Sequence, residues 1–212
     1  MNQILNTLLT LLLVLNLHML GTSRLIPLIR SIALQGFLLS LLPFFVSSSP
    51  VHLFLLFGGV LLIKGILIPY FLLKAVKKIQ IPREVNPYLG FTASLITGTA
   101  IILFSFWMGS FLKFPFPVLS DKIVPVAMAT VITGMVLLIA RRKAITEILG
   151  YLVLENGIYI FAVALAGEMP VAVEMGVLLD ILVGIFIMGI VLFKIQDTLQ
   201  DIDVTKLNAL KD

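Results

Sequence analysis

Long apolar runs alternate with short polar breaks along the whole chain. Seven runs of 17 to 23 residues can be recognised, at 4–20, 25–46, 51–73, 87–109, 123–140, 144–166 and 171–193. A helix that crosses a bilayer needs about 20 apolar residues. Because the hydrocarbon offers no water to backbone amides, segments of this length and composition must be helical. The pattern predicts an all-α, polytopic membrane protein with about seven transmembrane helices.

The breaks between the runs are made of residues that favour turns. Gly-Thr-Ser occupies 21–23, three serines and a proline occupy 47–50, and Gly-Glu-Met-Pro occupies 167–170. No basic segment precedes the first run and no clean small-residue cleavage site follows it. The first run is therefore predicted to be a retained span rather than a signal peptide.

Composition agrees with this pattern and excludes two protein classes. Of 212 residues, 60% are hydrophobic and only 12% are charged, whereas a soluble domain has about 25% charged residues. Ordinary cytosolic enzymes and disordered chains are thereby excluded. The absence of cysteine excludes disulfides and Cys-ligated clusters, and His18 and His52 form no haem-type or di-iron-type pair. The chain is predicted to carry no cofactor of its own.

The basic residues predict the orientation of the chain. Only Lys113 and Lys122 fall on one side of the predicted membrane, and Arg30 and Lys64 fall inside spans. The other eleven share the opposite side, namely Arg24, Lys74, Lys77, Lys78, Arg83, Arg141, Arg142, Lys143, Lys194, Lys206 and Lys211. Because basic residues accumulate on the cytoplasmic side, the N-terminus is predicted outside and the C-terminus inside a cell (inner) membrane. The net charge of +4 then reflects topology, and nucleic acid is not a predicted partner.

Five charged residues lie within the predicted spans, namely Arg30, Lys64, Glu155, Glu174 and Asp180. Burying such a group costs roughly 2.5–3.5 kcal/mol on insertion scales, so each is a functional candidate. Glu174 lies near the outer boundary, where a solvated carboxylate is as reasonable as a member of a proton relay. Arg30 lies less than two turns from the cytoplasmic side, where a long side chain can reach the interface; Gln35, further in, would extend a polar path.

Glu155 is the principal carboxylate candidate. It lies about 16 Å along its helix from the predicted cytoplasmic end, which is near mid-membrane. Glu147, Tyr151, Glu155 and Tyr159 follow one another at intervals of four and therefore share one helix face. This face is predicted to carry protons from the cytoplasmic edge past the membrane centre. The alternative is a glutamate that is ion-paired for packing alone.

Asp180 and Lys64 complete the central group. Asp180 lies mid-span between Gly176 and Gly184, and it could face Glu155 from the adjacent helix. Lys64 lies deep in the third span, where an ammonium can carry a proton or interact with a carboxylate. Pro69 removes a helical hydrogen bond close to Lys64, which predicts a kink and local hydration. The alternative for Lys64 is a purely structural pairing with a carboxylate.

Five segments carry a resemblance to a known family. They are Ile-Lys-Gly-Ile-Leu-Ile-Pro at 63–69, Ala-Arg-Arg-Lys at 140–143, Gly-Tyr-Leu-Val-Leu-Glu-Asn-Gly at 150–157, Asp-Ile-Leu-Val-Gly at 180–184, and the tail at 201–211. Together they resemble hydrogenase-4 component E, a membrane protein of group 4 energy-converting hydrogenase complexes of the formate hydrogenlyase type. The last three spans also resemble the K subunit of complex I. There Asp180 matches a mid-membrane glutamate, and Glu155 lies one helical turn from another.

The resemblance implies a function that composition does not. A four-helix membrane region (1–122), a region like the complex I K subunit (123–195) and a cytoplasmic tail (196–212) are expected. The partners would be antiporter-like membrane subunits, a membrane protein resembling the H subunit of complex I, and a hydrogenase-like soluble arm that holds Fe–S clusters and a NiFe or related centre. The chain itself would be a non-catalytic subunit, and its charged residues would join a hydrophilic axis that couples redox chemistry to proton or sodium translocation.

Two alternatives remain open at this point. The chain could be a structural scaffold for antiporter-like subunits, in which case its buried charges could be neutralised without loss of ion translocation. It could also be a stand-alone secondary transporter, a class that often contains an internal repeat. No convincing repeat relates the two halves of the sequence.

Overall fold

A computed structural model of the chain describes residues 2–45, 50–79, 90–112, 119–141 and 144–164. Its α-helices are α1 (Asn2–Gly21), α2 (Leu25–Ser40), α3 (Pro50–Val60), α4 (Ile68–Ile79), α5 (Phe91–Phe111), α6 (Ile123–Ala140) and α7 (Ala144–Ala164). A 3-10 turn, Leu42–Phe45, extends α2, and a π-helical segment, Leu61–Leu67, joins α3 to α4. Within these ranges six helical stretches are long and apolar enough to span a membrane. The prediction of an all-α, polytopic membrane protein is thus confirmed for these ranges.

The helix bounds differ by a few residues from several of the predicted spans. The fourth is predicted at 87–109, but α5 begins after Gly90, whose carbonyl accepts the first helical hydrogen bond from the Ser94 N–H. The third is predicted to end at residue 73, which agrees with the apolar stretch Leu56–Lys74, and α4 itself continues to Ile79. Basic residues are favoured near a helix C-terminus, so the helix can extend beyond its apolar run. The seventh predicted span (171–193) and the tail (196–212) lie outside the described residues, so the count of seven, the orientation and the three-region division stay predictions.

Proline marks the helix starts and one interruption. Pro27, Pro50 and Pro125 lie in the first turns of α2, α3 and α6, where a missing N–H costs nothing. Pro69 lies instead inside the third span, two residues after the end of the π-helical segment. There the N–H of Ile68 bonds to the carbonyl of Ile63, five residues back. The backbone is therefore widened where the sequence predicts loosening, and π-helical turns of this kind often mark functional sites.

Polar contacts at both ends set the direction of α1 relative to α6. The Ser120 hydroxyl, just before α6, donates to Asn6 near the start of α1. The Arg141 guanidinium, just after α6, donates to the carbonyl of Leu20 at the end of α1. The two helices are therefore parallel, which is the relation that the predicted alternation of spans requires of the first and fifth.

The bundle interior is layered. One apolar cluster contains Leu9, Leu39 and Ile160, and a second contains Ile29, Leu72 and Val153, with α1, α2, α6 and α7 contributing to both. On each contributing helix the two clusters occupy different halves. Between them lies a set of buried polar residues that we call the polar layer, namely Asn16, Gln35, Lys64, Thr130 and Asn156.

Candidate functional site

The polar layer brings together one residue from each of five helical segments. All five side chains are at most 4% exposed. Burying polar groups away from water is costly unless they are hydrogen-bonded to one another, and more so in a bilayer. The five side chains are therefore expected to form hydrogen bonds with one another.

Its side chains form a continuous series of hydrogen bonds. The Lys64 ammonium donates to Asn156 Oδ1 at 3.0 Å. Asn156 Nδ2 donates to Gln35 Oε1 at 2.9 Å, and Gln35 Nε2 donates to Asn16 Oδ1 at 2.8 Å. Asn16 Nδ2 donates to Thr130 Oγ1 at 2.9 Å, and this hydroxyl donates to the Val126 carbonyl at 2.7 Å. The series links Lys64 to α7, α2, α1 and α6 in that order.

Two features bring Lys64 to this position. The backbone of Lys64 passes against Gly36 on α2, where a Cβ would come within 2.7 Å of the Lys64 carbonyl carbon and oxygen. Only glycine permits this approach. The residue also lies in the π-helical segment, whose wider turn sets the direction in which the side chain leaves the helix. The Lys64 nitrogen then lies 5.3 Å from the centre of the Tyr159 ring, within the range of a cation–π contact.

The predicted proton-carrying face of α7 is partly buried. Glu155 is buried beside Asn156, and Tyr159, one turn further on, is the residue whose ring lies by the Lys64 ammonium. Glu155 is thus within one helical turn of both α7 residues that contact Lys64. Tyr151 is half-buried and Glu147 is exposed in the first turn of α7. The face runs from the exposed carboxylate of Glu147 at the helix start to the buried carboxylate of Glu155, which directly precedes the polar-layer residue Asn156.

The remaining predicted residues are not brought into this layer by the described structure. Arg30 is exposed on α2, which agrees with a side chain that reaches for the interface and not with a place beside Lys64. Glu174 and Asp180 lie outside the described residues. Gln35, predicted as an extension of a polar path from Arg30, is instead a central member of the layer.

Sequence reasoning missed two members of the layer, Asn16 and Thr130. The signal for Asn16 is weak but present, because it is an amide within the otherwise apolar run Val14-Leu15-Asn16-Leu17. The sequence signal for Thr130 is weaker still, since hydroxyl residues are common wherever membrane helices pack together. Neither is charged, so a survey of charged groups passes over both.

Arg141 has a structural role that its position among the basic residues at 141–143 does not suggest. The sequence marks it only as a residue of the cytoplasmic side, yet it is buried and donates to the carbonyls of Leu20, at 3.0 Å, and Thr22, at 3.5 Å. The last carbonyls of a helix lack intrahelical partners, and a cation there also interacts favourably with the helix dipole. Arg141 therefore ties the end of α1 to the end of α6.

Replacing Arg141 with methionine is expected to destabilise the protein by about 1.5–3 kcal/mol, the usual range for a hydrogen bond to a charged group. Arg24→Met is the matched control, because it removes one basic residue from the same side of the membrane but starts from an exposed side chain. Surface changes of this kind usually cost within about 0.5 kcal/mol. Thermal unfolding of both variants in detergent micelles measures the difference, and equal midpoints would contradict the role given to Arg141.

The residues of the layer suit ion handling better than bond-breaking chemistry. An ammonium and a nearby carboxylate-bearing residue can hold or exchange protons, while amides and a hydroxyl supply fixed hydrogen bonds. In the part of the chain that the structure describes, no three His, Asp or Glu residues are grouped to hold a metal ion. The site is thus a buried charged centre inside a helical bundle.

Comparison with known proteins identifies the relatives of the chain. No protein-family model and no solved structure matches it. An uncharacterized protein of Mycobacterium tuberculosis is 27% identical over 187 residues, which are 87% of this chain and 85% of that protein. Hydrogenase-4 component E of Escherichia coli, and likewise that of Shigella flexneri, is 25% identical over 148 residues, which are 70% of this chain and 68% of that protein. The resemblance carried by the sequence motifs is thereby confirmed, and the chain is a distant homologue of hydrogenase-4 component E.

Proposed function

We propose that this chain is a non-catalytic, membrane-arm subunit of a multisubunit, energy-converting complex related to hydrogenases and to complex I. Its mid-membrane charged residues contribute to a hydrophilic axis that couples redox chemistry to the translocation of protons or sodium ions. The homology to a hydrogenase component supports the kind of complex. The partners in this proposal are antiporter-like subunits, a membrane protein like the H subunit of complex I, and a soluble arm that carries the Fe–S clusters and the NiFe or related centre.

The observation that carries the proposal is the buried Lys64 ammonium in the polar layer. It is 4% exposed, hydrogen-bonded to Asn156 and next to the Tyr159 ring. A helix–helix contact in a membrane needs only a hydroxyl or amide, whereas a buried charge carries a desolvation cost with no packing benefit. A charge kept there under that cost favours a role in ion movement.

Glu155 supplies the second charge of the axis. It is buried on α7, in the residue position directly before Asn156. Tyr151 and Glu147 extend its helix face toward the start of α7, and they give protons an entry from the cytoplasmic side of the membrane in the proposed orientation. Asp180 and Glu174 would continue the axis from the seventh span. Arg30, being exposed, would act at the edge of the axis.

The test of this proposal is Glu155→Gln in the assembled complex, which keeps the size of the side chain but removes its charge. Redox-driven ion translocation per assembled complex is expected to fall at least about tenfold, equivalent to 1.4 kcal/mol in a barrier. Glu147→Gln is the comparison on the same helix, because Glu147 lies at the exposed entry of the proposed relay, where water can supply protons in its place; its effect is expected to be clearly smaller. Normal translocation by a normally assembled Glu155→Gln complex would overturn the relay.

The scaffold alternative makes the opposite prediction for the same experiment. It is favoured by one observation, namely that the amides of the polar layer join four helices to the third span. A scaffold would lose assembly, not translocation per assembled complex, when the layer is altered. Coupled ion transport by the purified chain alone in liposomes would instead support the stand-alone transporter.

A further inference from the structure

The hydrogen bonds of the polar layer run in one direction, and the chemistry at both ends requires it. An ammonium can only donate, so Asn156 must present its oxygen to Lys64 and its nitrogen to Gln35. Gln35 must then donate to Asn16 in the same sense. At the far end the Val126 carbonyl can only accept, so the Thr130 hydroxyl must donate to it. Reversing any one amide would place two donors or two acceptors against each other.

The fixed direction has an electrostatic consequence. In each of the three amides the carbonyl oxygen points toward the lysine end of the series and the nitrogen points away. Along the series, the oxygen of each amide, which is the negative end of its dipole, is therefore closer to the ammonium than its nitrogen is. Hydrogen bonds in such a series strengthen one another by roughly 10–30% each in a medium of low dielectric constant. Asn16 consequently acts on Lys64 although two other side chains separate them.

The same series is unsuited to carrying protons. A side-chain amide nitrogen is a donor with no acceptor capacity, so it cannot take up a proton and pass it on. Transfer along the series would require every amide to be protonated on oxygen and deprotonated on nitrogen. Protons that reach Lys64 must therefore enter and leave through titratable groups such as Glu155.

We infer that Asn156, Gln35 and Asn16 are positioning residues that hold the Lys64 ammonium at mid-bundle through a one-way series of hydrogen bonds, and that the transported ion does not pass along them. This inference rests on the proposed function, since it assigns roles around the central cation of the axis. The arrangement also gives each amide nitrogen a hydrogen-bond acceptor. A single amide could bond the ammonium, but its N–H donors would then lack the acceptor that the next residue of the series supplies.

The test is magic-angle-spinning NMR of the full chain, labelled with 15N-lysine and reconstituted in liposomes. The Nζ resonance of Lys64 is identified as the one that Lys64→Met removes. Asn156→Leu is expected to shift this resonance most, Gln35→Met less, and Asn16→Leu least but measurably. Asn6→Leu is the matched control, because Asn6 also lies on α1 but bonds to Ser120 outside the layer, and it is expected to leave the resonance unchanged.

Thr130→Val is a second variant that interrupts the series at the end far from Lys64, since it removes the hydroxyl that accepts from Asn16 at nearly constant side-chain volume. It gives an answer even if Asn16→Leu does not fold. A resonance unmoved in Gln35→Met and in Thr130→Val, with the fold retained, would overturn the inference. So would an equal shift in Asn6→Leu. The Lys64 resonance is measured independently of ion translocation. The NMR test can therefore contradict this inference while the Glu155→Gln test supports the proposed function, and the NMR test can support the inference while the Glu155→Gln test fails.

Discussion

Replacing Lys64 with methionine is expected to reduce redox-driven ion translocation per assembled complex at least about tenfold, or 1.4 kcal/mol in a barrier. Methionine keeps an unbranched chain of similar length and fills irregular space well, so the packing volume changes little. The substitution removes the buried cation of the polar layer and leaves Asn156 Oδ1 without the ammonium donor. Some loss of stability, about 1–3 kcal/mol, accompanies the unsatisfied amide. Translocation must therefore be normalised to the amount of assembled complex.

Lys74→Met is the matched control for this variant. Lys74 belongs to the same span, ten positions later on α4, but its side chain is exposed. The same chemical change at this position is expected to leave translocation close to that of the unaltered complex. If Lys64→Met also translocates normally at normal assembly, the ammonium has no part in ion movement, and the layer is structural.

Gly134→Ala is expected to impair folding more than the same substitution at any other glycine of the described residues. A Cβ at Gly134 would overlap the backbone nitrogen and Cα of Leu154 on α7. A backbone cannot yield as a flexible side chain can, so α6 and α7 would have to separate. Overpacking of this kind costs typically 1–3 kcal/mol and occasionally more, and we expect a cost of about 3 kcal/mol. The yield of folded protein extracted from membranes and its thermal midpoint should both fall.

Gly59→Ala is the control for that substitution. Gly59 lies within α3, and among the described residues no atom lies within 4 Å of a Cβ placed there. Alanine is intrinsically more favourable than glycine in a helix by about 1 kcal/mol. The control should therefore be neutral or slightly stabilising, while Gly134→Ala is destabilising in spite of the same intrinsic gain. Equal behaviour of the two variants would contradict the close contact of α6 with α7.

The helices could be predicted because the bilayer constrains length and composition together. The fifth run is predicted at 123–140, which is where α6 lies. The continuation of α4 beyond its apolar run was not predicted, because hydropathy does not record how far basic residues near a helix C-terminus allow the helix to extend. The π-helical turn is foreseen only as a loosening at Pro69, since the sequence does not say how a missing hydrogen bond is accommodated.

The charged residues of the candidate site could be predicted from the sequence, but their hydrogen-bond partners could not. A charge in the middle of a span is unusual in any membrane helix, so Lys64 and Glu155 are evident from position alone. The partner of Lys64 depends on how five helical segments rotate about their axes, and that rotation is set by packing at residues such as Gly36. Asn16 and Thr130 were missed for this reason, because each acquires its role only when α1 lies beside α6.

The parallel pairing of α1 with α6 has a consequence for synthesis. Asn6 and Asn16 each find a hydroxyl partner 114 residues later in the chain, and the Leu20 carbonyl meets Arg141 121 residues later. At 5–20 residues per second a ribosome needs roughly 6–23 s to cover 114 residues. During that interval the first helix is in the membrane or its insertion machinery with polar groups that await their final partners. These polar contacts of α1 therefore form only after α6 has been made, and we expect its polar groups to need a protected environment until then.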